Sequence, residues 1–331
     1  MLKRFDVLVI GGGVLGLATA ADLARSGRAV GVVDPGEGNA SSVAAGMIAP
    51  AMESLLDPLL RPHVELLKEA AALWPAFAAR HGLALLQEGA GWVGPDAAEK
   101  ARELAGLGFS VEVDGDRLTT PDDLRIEAAT ALRILAEPVN IVRHRADAVA
   151  REGGLWRSSL NSGATVEAAT LVIATGAAEA LQGLSPDVRR VIAGVQPIRG
   201  QIVRTAGRPE RVLRSADVYW APAGDAGRLG ATMEHGRRDT APDPEIAARF
   251  EAAAAAAFGA AGEVIGIDVG VRGATADGLP LAGSAGDGLY LALAPRRNGW
   301  LLAPLVARTL VEQIEGRPSK WARALDPFRT V

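Results

Sequence analysis

Three glycines spaced G-x-G-x-x-G, Gly11, Gly13 and Gly16, follow the apolar run Asp6-Val7-Leu8-Val9-Ile10 and open a segment with helical periodicity at Val14 and Leu15. In that setting each glycine has a task. Gly11 permits a tight turn, Gly13 lets the backbone approach a pyrophosphate, and Gly16 lets the helix pack close to the strand. The free N–H groups at the helix start then face the phosphates, and the helix dipole favours their charge. A second apolar run, Ala29 to Val33, ends in Asp34, 23 residues beyond Gly11. That offset is near the roughly 20 expected of an acid that holds an adenosine ribose hydroxyl. The chemistry implied is dinucleotide binding. The fingerprint alone does not separate NAD from FAD.

The elements that must position these residues read as follows. A strand runs to Ile10 and a helix covers Val14–Ser26, stopped by Gly27. The strand Ala29–Val33 follows, then the small polar stretch Asn39 to Met47. The pattern predicts helices over Leu59–Arg80 and Asp96–Leu107, with a turn or short strand at Gly91–Pro95. From Val139 the periodicity shortens. Strands are expected at Ala146–Arg151, Leu155–Leu160 and Ala164–Ala168, separated by Gly153-Gly154 and Asn161-Ser162-Gly163. A further buried strand, Leu171–Ala174, runs into Thr175-Gly176. Alternation over Val195–Glu234 predicts a second, antiparallel domain, and Asp243–Phe258 reads as a plain helix carrying an alanine run. The tail gives a strand at Gly288–Leu293, a loop, and a helix over Gly299–Glu315. The fold class is α/β: a Rossmann-like domain with a β-meander plus an antiparallel-sheet α+β domain. The expected boundaries are discontinuous, 1–75, 139–185 and 262–331 for the cofactor domain and 76–138 and 186–261 for the substrate domain.

Composition narrows the chemistry. Among 331 residues there is no cysteine, which excludes a disulfide framework, a thiolate metal site, a cysteine nucleophile and a flavin joined through sulfur. The four histidines, His63, His81, His144 and His235, have no metal-ligand spacing. A net charge of −4 gives no sign of a nucleic-acid surface. Lys3 and Arg4 before an apolar run imitate a signal peptide, but the run is too short. No stretch is long and apolar enough for a membrane span. The expectation is a cytoplasmic protein with no membrane and no nucleic-acid partner.

Two further stretches point to the flavin. Ser41-Ser42 with Ala45-Gly46-Met47, directly after the ribose acid and Pro35, resembles the small-residue loop around the flavin pyrophosphate in the D-amino-acid oxidase superfamily of FAD-dependent oxidoreductases. Arg297-Asn298-Gly299-Trp300-Leu301 resembles the stretch in which a loop and a helix start meet the flavin. Within that superfamily the chain is most similar to glycine oxidases of the thiamine-biosynthesis type. The match extends to Ala174-Thr175-Gly176, Pro197 to Gln201, Tyr219 with Pro222, Gly230 to Glu234, and Arg272 with Asp277 to Pro280.

The resemblance implies a FAD-binding domain of glutathione-reductase type. Its cofactor contacts would come from Gly11, Gly13, Val14, Leu15, Gly16, Asp34, Pro35, Ser41, Ser42, Ala45, Gly46, Met47, Ala146, Ala174, Gly176 and Arg297 to Leu301. Relatives that attach flavin to histidine carry it just before an Ala-Ala-Gly. Val43 and Ala44 stand before Ala45-Gly46 here, so the FAD is expected to be non-covalent. Arg272 matches the arginine that clamps the substrate carboxylate, Arg297 a second arginine beside the flavin, and Tyr219 a strand tyrosine that reaches the carboxylate. Arginine suits this task because its planar fork bonds both oxygens and stays charged. Arg296 offers the same chemistry. No general base stands out; Glu53 and Glu234 read as structural carboxylates.

The implied reaction turns a small amino acid into its imine and then its 2-oxo acid, with ammonia and hydrogen peroxide, and feeds thiazole synthesis. The partners are then a small amine or amino acid, oxygen, and further copies of the chain if it oligomerises. Several residues depart from the family pattern. Pro295-Arg296 replaces a histidine and an aromatic, Ala223 replaces a basic residue, and Trp300 replaces an aliphatic one. These positions bear on which amine is taken. Four other readings stay open: a flavin dehydrogenase using a carrier instead of oxygen, the tRNA-modifying branch of the superfamily, a non-catalytic flavin-binding subunit, and an NAD-dependent dehydrogenase.

Overall fold

The N-terminal apolar run is the strand Lys3–Ile10, whose Val7, Leu8 and Val9 are fully buried. It pairs in parallel with Val30–Val33 on one side and with Thr165–Ile173 on the other. Strands flanked on both edges and covered on both faces need uninterrupted apolar residues, which is why these runs do not alternate. The computed structural model describes residues 3–330. Its contacts group them into two units: residues up to Asn39 with Leu132–Ile198 and Arg272 onward, and Ala40–Ala131 with Arg199–Val271. The expected domain boundaries assign residues 40–75 and 262–271 to the cofactor domain, whereas the contacts group them with the antiparallel unit.

In the first unit the sheet order is Ala146–Glu152, Leu155–Leu160, Thr165–Ile173, Lys3–Ile10, Val30–Val33, Asn140–Val142; Leu289–Leu293 also pairs with Thr165–Ile173, and Leu281–Ser284 with Leu289–Leu293. The helix Val14–Arg25 packs against the last helix, Gly299–Ile314. The sequence pattern predicts two strands across 164–174. The structure has one, Thr165–Ile173. No turn former separates Ala168 from Leu171, and a single edge of this strand is bonded along Lys3–Ile10. Its other edge takes Leu155–Leu160 antiparallel and then Leu289–Leu293 parallel.

The second unit is built on a largely antiparallel sheet in which Gln196–Ala206, Ala226–Gly230 and Tyr219–Ala223 are neighbours. A separate three-stranded sheet joins Met47–Ile48, Leu124–Ile126 and Leu85–Leu86. The predicted helix Leu59–Arg80 is three pieces, Arg61–His63, Val64–Ala72 and Trp74–His81. Pro62 and Pro75 each begin a new piece, since proline suits a first turn and breaks a helix interior. Arg272 lies within the strand Val264–Ala274. The short helices Ala40–Val43 and Pro50–Leu56 carry no long periodic signal and are not among the sequence expectations. Among the described residues no helix is long and apolar enough to cross a membrane.

Candidate active site

In the first unit the glycine turn is shaped by backbone collisions. Gly11 has φ +113°, and a Cβ there would run into the Ala174 carbonyl. One at Gly16 would strike the Gly11 carbonyl and come within 3.1 Å of Ala174 Cβ. The turn is therefore pressed against Ala174-Thr175-Gly176. Gly13 is the N-cap of Val14–Arg25, with extended dihedrals and no side-chain cap. Asp34 accepts the Gly12 N–H on Oδ2 at 2.6 Å and the Gly36 N–H on Oδ1 at 2.8 Å, with Arg143 3.8 Å away. Each oxygen keeps a lone pair for a hydroxyl. Pro35 is exposed, and Ala146 is buried in the sheet core at a bulge.

The loop before the last helix belongs to the same neighbourhood. Gly299 opens that helix, and a Cβ on it would lie 3.2 Å from Val14 Cγ1, so the two helix starts stand side by side. Ala294 and Arg296 hold φ of +58° and +52°. Left-handed non-glycine residues cost about 1–3 kcal/mol each and cluster where a site demands an unusual backbone. The loop is pinned to the end of Val264–Ala274 by an antiparallel bridge, Ala274 to Pro295, and by the Arg296 N–H donating to Gly273 O at 2.8 Å. Two residues along from that bridge on each segment stand Arg272 and Arg297, both half-buried. Gly273 in turn lies against Gly176. The structure thus gathers Gly11 to Gly16, Ala174, Gly176, Arg272 and residues 294–301.

Asn298 gives this site a test of fit to a flavin nucleotide. It is buried, it is the N-cap of the last helix without a side-chain cap bond, and its Nδ2 has no hydrogen-bond partner among the described residues. An orphaned buried donor costs about 1–3 kcal/mol, a cost removed by an acceptor-rich ligand. A turn shaped by carbonyl contacts, two adjacent helix starts, an aspartate at the end of the second strand and an orphan donor all fit FAD.

In the second unit, Ser41 and Ser42 lie in the short helix Ala40–Val43, and Ala45 and Gly46 are buried behind it. Gly46 has φ +71°, and a Cβ there would enter the Ile126 carbonyl. Its own carbonyl accepts the Ile126 N–H at 3.0 Å. Tyr219 pairs with Gly230 across the sheet and packs, with Met47, on the apolar cluster that contains Ala45 and Met52.

Polar residues under this loop were not legible in the sequence. Arg214 pairs with Glu53 at 3.0 Å, both 7% exposed, and its Nη2 reaches Met47 Sδ at 3.2 Å. Asp123 accepts the Ala51 N–H at 3.2 Å and the Thr120 hydroxyl at 2.8 Å. Burial pushes its carboxyl up to about 7, against the opposing pull of Thr120, Arg214 and the N–H groups of Ala51 and Met52. Glu53 and Glu234 are both structural, as their sequence context suggests. Glu234 accepts from Arg199 at 2.5 Å and from Thr232 at 2.8 Å. Burial raises its pKa, but these hydrogen bonds and the charges of Arg199 and Arg237 outweigh it and hold the carboxyl below the usual range. Thr120 and Thr232 lie 3 and 2 residues from the carboxylates they serve, but Arg199, Ala51 and Arg214 lie 35, 72 and 161 residues from theirs and follow no motif.

Residues 6–313 match the family described as FAD dependent oxidoreductase, DAO. Glycine oxidase of Bacillus licheniformis is 29% identical over 384 residues, covering 99% of this chain and 98% of that protein. The tRNA 5-methylaminomethyl-2-thiouridine biosynthesis bifunctional protein MnmC of Caulobacter sp. (strain K31) is 29% identical over 354 residues, covering 96% of this chain but 55% of that protein, so the chain spans about half the length of such relatives. The crystal structure of glycine oxidase from Geobacillus kaustophilus has the same fold, with a TM-score of 0.84 at 23% identity over 99% of this chain and 100% of that one. The match over nearly the whole length means that the chain belongs to the FAD-dependent oxidoreductase family of the D-amino-acid oxidase type, and its cofactor is FAD.

Proposed function

We propose that this protein oxidises a small, glycine-like amino acid, holding its FAD without a covalent link and acting in the cytoplasm. The products are the imine, hydrolysed by water to the 2-oxo acid and ammonia, and hydrogen peroxide. The use of that imine in thiazole formation for thiamine belongs to the same reading. Gly11 to Gly16, Asp34, residues 41–47 and Asn298 to Leu301 hold the cofactor. When bound there, FAD would supply the two-electron redox chemistry of the amine-to-imine oxidation, with oxygen as the final acceptor.

The protein's own part is positioning. Arg272 and Arg297 neutralise and orient the carboxylate, Arg296 standing beside them, and Tyr219 adds a hydroxyl donor. Holding the α-carbon in one place converts a collisional reaction into one within a complex. The observation that supports this reading is the Ala274–Pro295 bridge, which ties the end of the strand carrying Arg272 to the loop carrying Arg297. The end-to-end match to glycine oxidase supports the size of the substrate.

The likeness to MnmC favours a second reading, an amine borne on tRNA. A net charge of −4 weighs against it, because tRNA binding is dominated by phosphate neutralisation. An anaerobic bleaching screen separates the two. Loss of the flavin bands with glycine, sarcosine or a small D-amino acid is the expected result. Bleaching only by tRNA carrying an amine on its uridine would overturn it. Arg272→Met is expected to slow bleaching by the amino acid roughly 100-fold, the worth of a lost bidentate charged contact of about 3 kcal/mol.

A further inference from the structure

The side chain of Arg228 has a role in neither the fingerprint nor the substrate clamp. It projects from the strand Ala226–Gly230, which is bonded on both edges, to Gln196–Ala206 and Tyr219–Ala223. Its Nη1 donates to the backbone carbonyl of Val43 and, at 3.0 Å, to that of Ala44. These are the carbonyls at the C-terminal end of the short helix Ala40–Val43, where the backbone dipoles leave negative charge. A trans peptide points its N–H opposite to its C=O. A guanidinium that draws in the carbonyls of Val43 and Ala44 therefore turns the N–H groups of Ala44 and Ala45 the other way.

The same segment is fixed from two more sides. Gly270 approaches so closely that a Cβ there would lie 2.9 Å from Ala40 Cα and 3.0 Å from Val43 Cγ2. Gly46 is locked against Ile126. Of the three holds, the one from Arg228 is the charged one, and it acts on the peptides whose polarity matters to an anion.

We propose that Arg228 is a positioning residue for the phosphates of FAD. It sets the polarity of the 43–45 peptides so that the loop offers two N–H donors and withholds two carbonyls. This rests on the reading of residues 41–47 as a pyrophosphate loop. Arg228 itself touches neither cofactor nor substrate in this account.

The test compares two ligands on the flavin-stripped full chain. FAD carries the diphosphate; riboflavin carries the ring without it. Dissociation constants are measured by flavin fluorescence for wild type, Arg228→Met and Arg228→Lys. Arg228→Met keeps the bulk and removes the donors. It should weaken FAD at least tenfold relative to riboflavin. Arg228→Lys keeps a charge that cannot span both carbonyls and should weaken FAD at least threefold relative to riboflavin, so it decides the matter if the Met variant does not fold. A ratio within twofold of wild type overturns the proposal. So does an equal weakening of both ligands, which would mark a general packing role. A wild-type chain that binds riboflavin as tightly as FAD would instead sink the pyrophosphate-loop reading beneath it.

Discussion

The glycine turn at Gly11 to Gly16 and the loop at Ala40 to Ile48 are both assigned to one cofactor, yet they are shaped by different physics. The turn is a local construction. Strand, turn and helix are consecutive, its acid lies one strand further on, and its shape is set by carbonyl collisions that only glycine avoids. The loop shares one such collision, Gly46 against the Ile126 carbonyl, but is held in addition by remote polar groups. Arg228 acts across 184 and 185 residues of sequence, Arg214 across 167, and Asp123 anchors the helix start behind it across 72. A sterically shaped segment should respond to added volume and ignore pH. A segment shaped by buried charge should respond to lost partners and to protons.

The sharpest probe of the steric side is Gly11→Ala. Its φ of +113° and the Ala174 carbonyl leave no room for a methyl group, and a backbone clash cannot be relieved by a rotamer change. We expect no soluble folded protein, and circular dichroism of a well-behaved variant with native melting would refute the collision argument. The corresponding probe of the polar side is Arg214→Met. It removes the cationic partner of the buried Glu53 carboxylate, and breaking a buried pair from one side costs about 3–5 kcal/mol. Denaturant titration should show most of that loss recovered in the double variant Arg214→Met, Glu53→Leu.

The proton response is the next discriminator. The folded protein keeps the Asp123 proton up to about pH 7, whereas the unfolded chain releases it near 3.8. Between those values the folded state binds more protons, so this group's contribution to stability is full below the lower value and fades as pH rises through the higher one. The slope is up to about 1.4 kcal/mol per pH unit. Melting temperature measured from pH 5 to pH 8 should therefore fall more steeply in wild type than in Asp123→Asn; parallel curves would show that Asp123 is ionised throughout. The mildest change is Asp34→Asn in the turn. It keeps the shape but offers the Gly12 N–H a weaker, uncharged acceptor. FAD affinity is expected to drop about tenfold, or about 1.4 kcal/mol, with melting of the flavin-free protein unmoved. A large melting shift would mean that Asp34 holds the turn together and does more than receive a ribose.

Much of the molecule was legible because local rules dominate it. The G-x-G-x-x-G turn, the hairpins at Gly153-Gly154 and Asn161-Ser162-Gly163, and the helix at Pro244–Phe258 with its Asp243 cap all follow from short-range geometry. The merging of two expected strands into Thr165–Ile173 was not legible. Strand continuity there is decided by neighbours on both edges, which periodicity does not reveal. The division of Leu59–Arg80 at Pro62 and Pro75 was open to a stricter reading of proline.

The order of residues alone determined that this chain would bind a dinucleotide and that a glycine turn would lie between its first strand and first helix, because that turn is built by residues a few bonds apart. Tertiary structure decided which segments carrying arginines are tied together and which arginine holds the loop. The strand carrying Arg272 meets the Arg297 loop only through a bridge between segments distant in sequence, and Arg228 finds the carbonyls of Val43 and Ala44 only once the sheet has formed. A charge's partner is fixed by distance in space, and sequence separation carries no record of it.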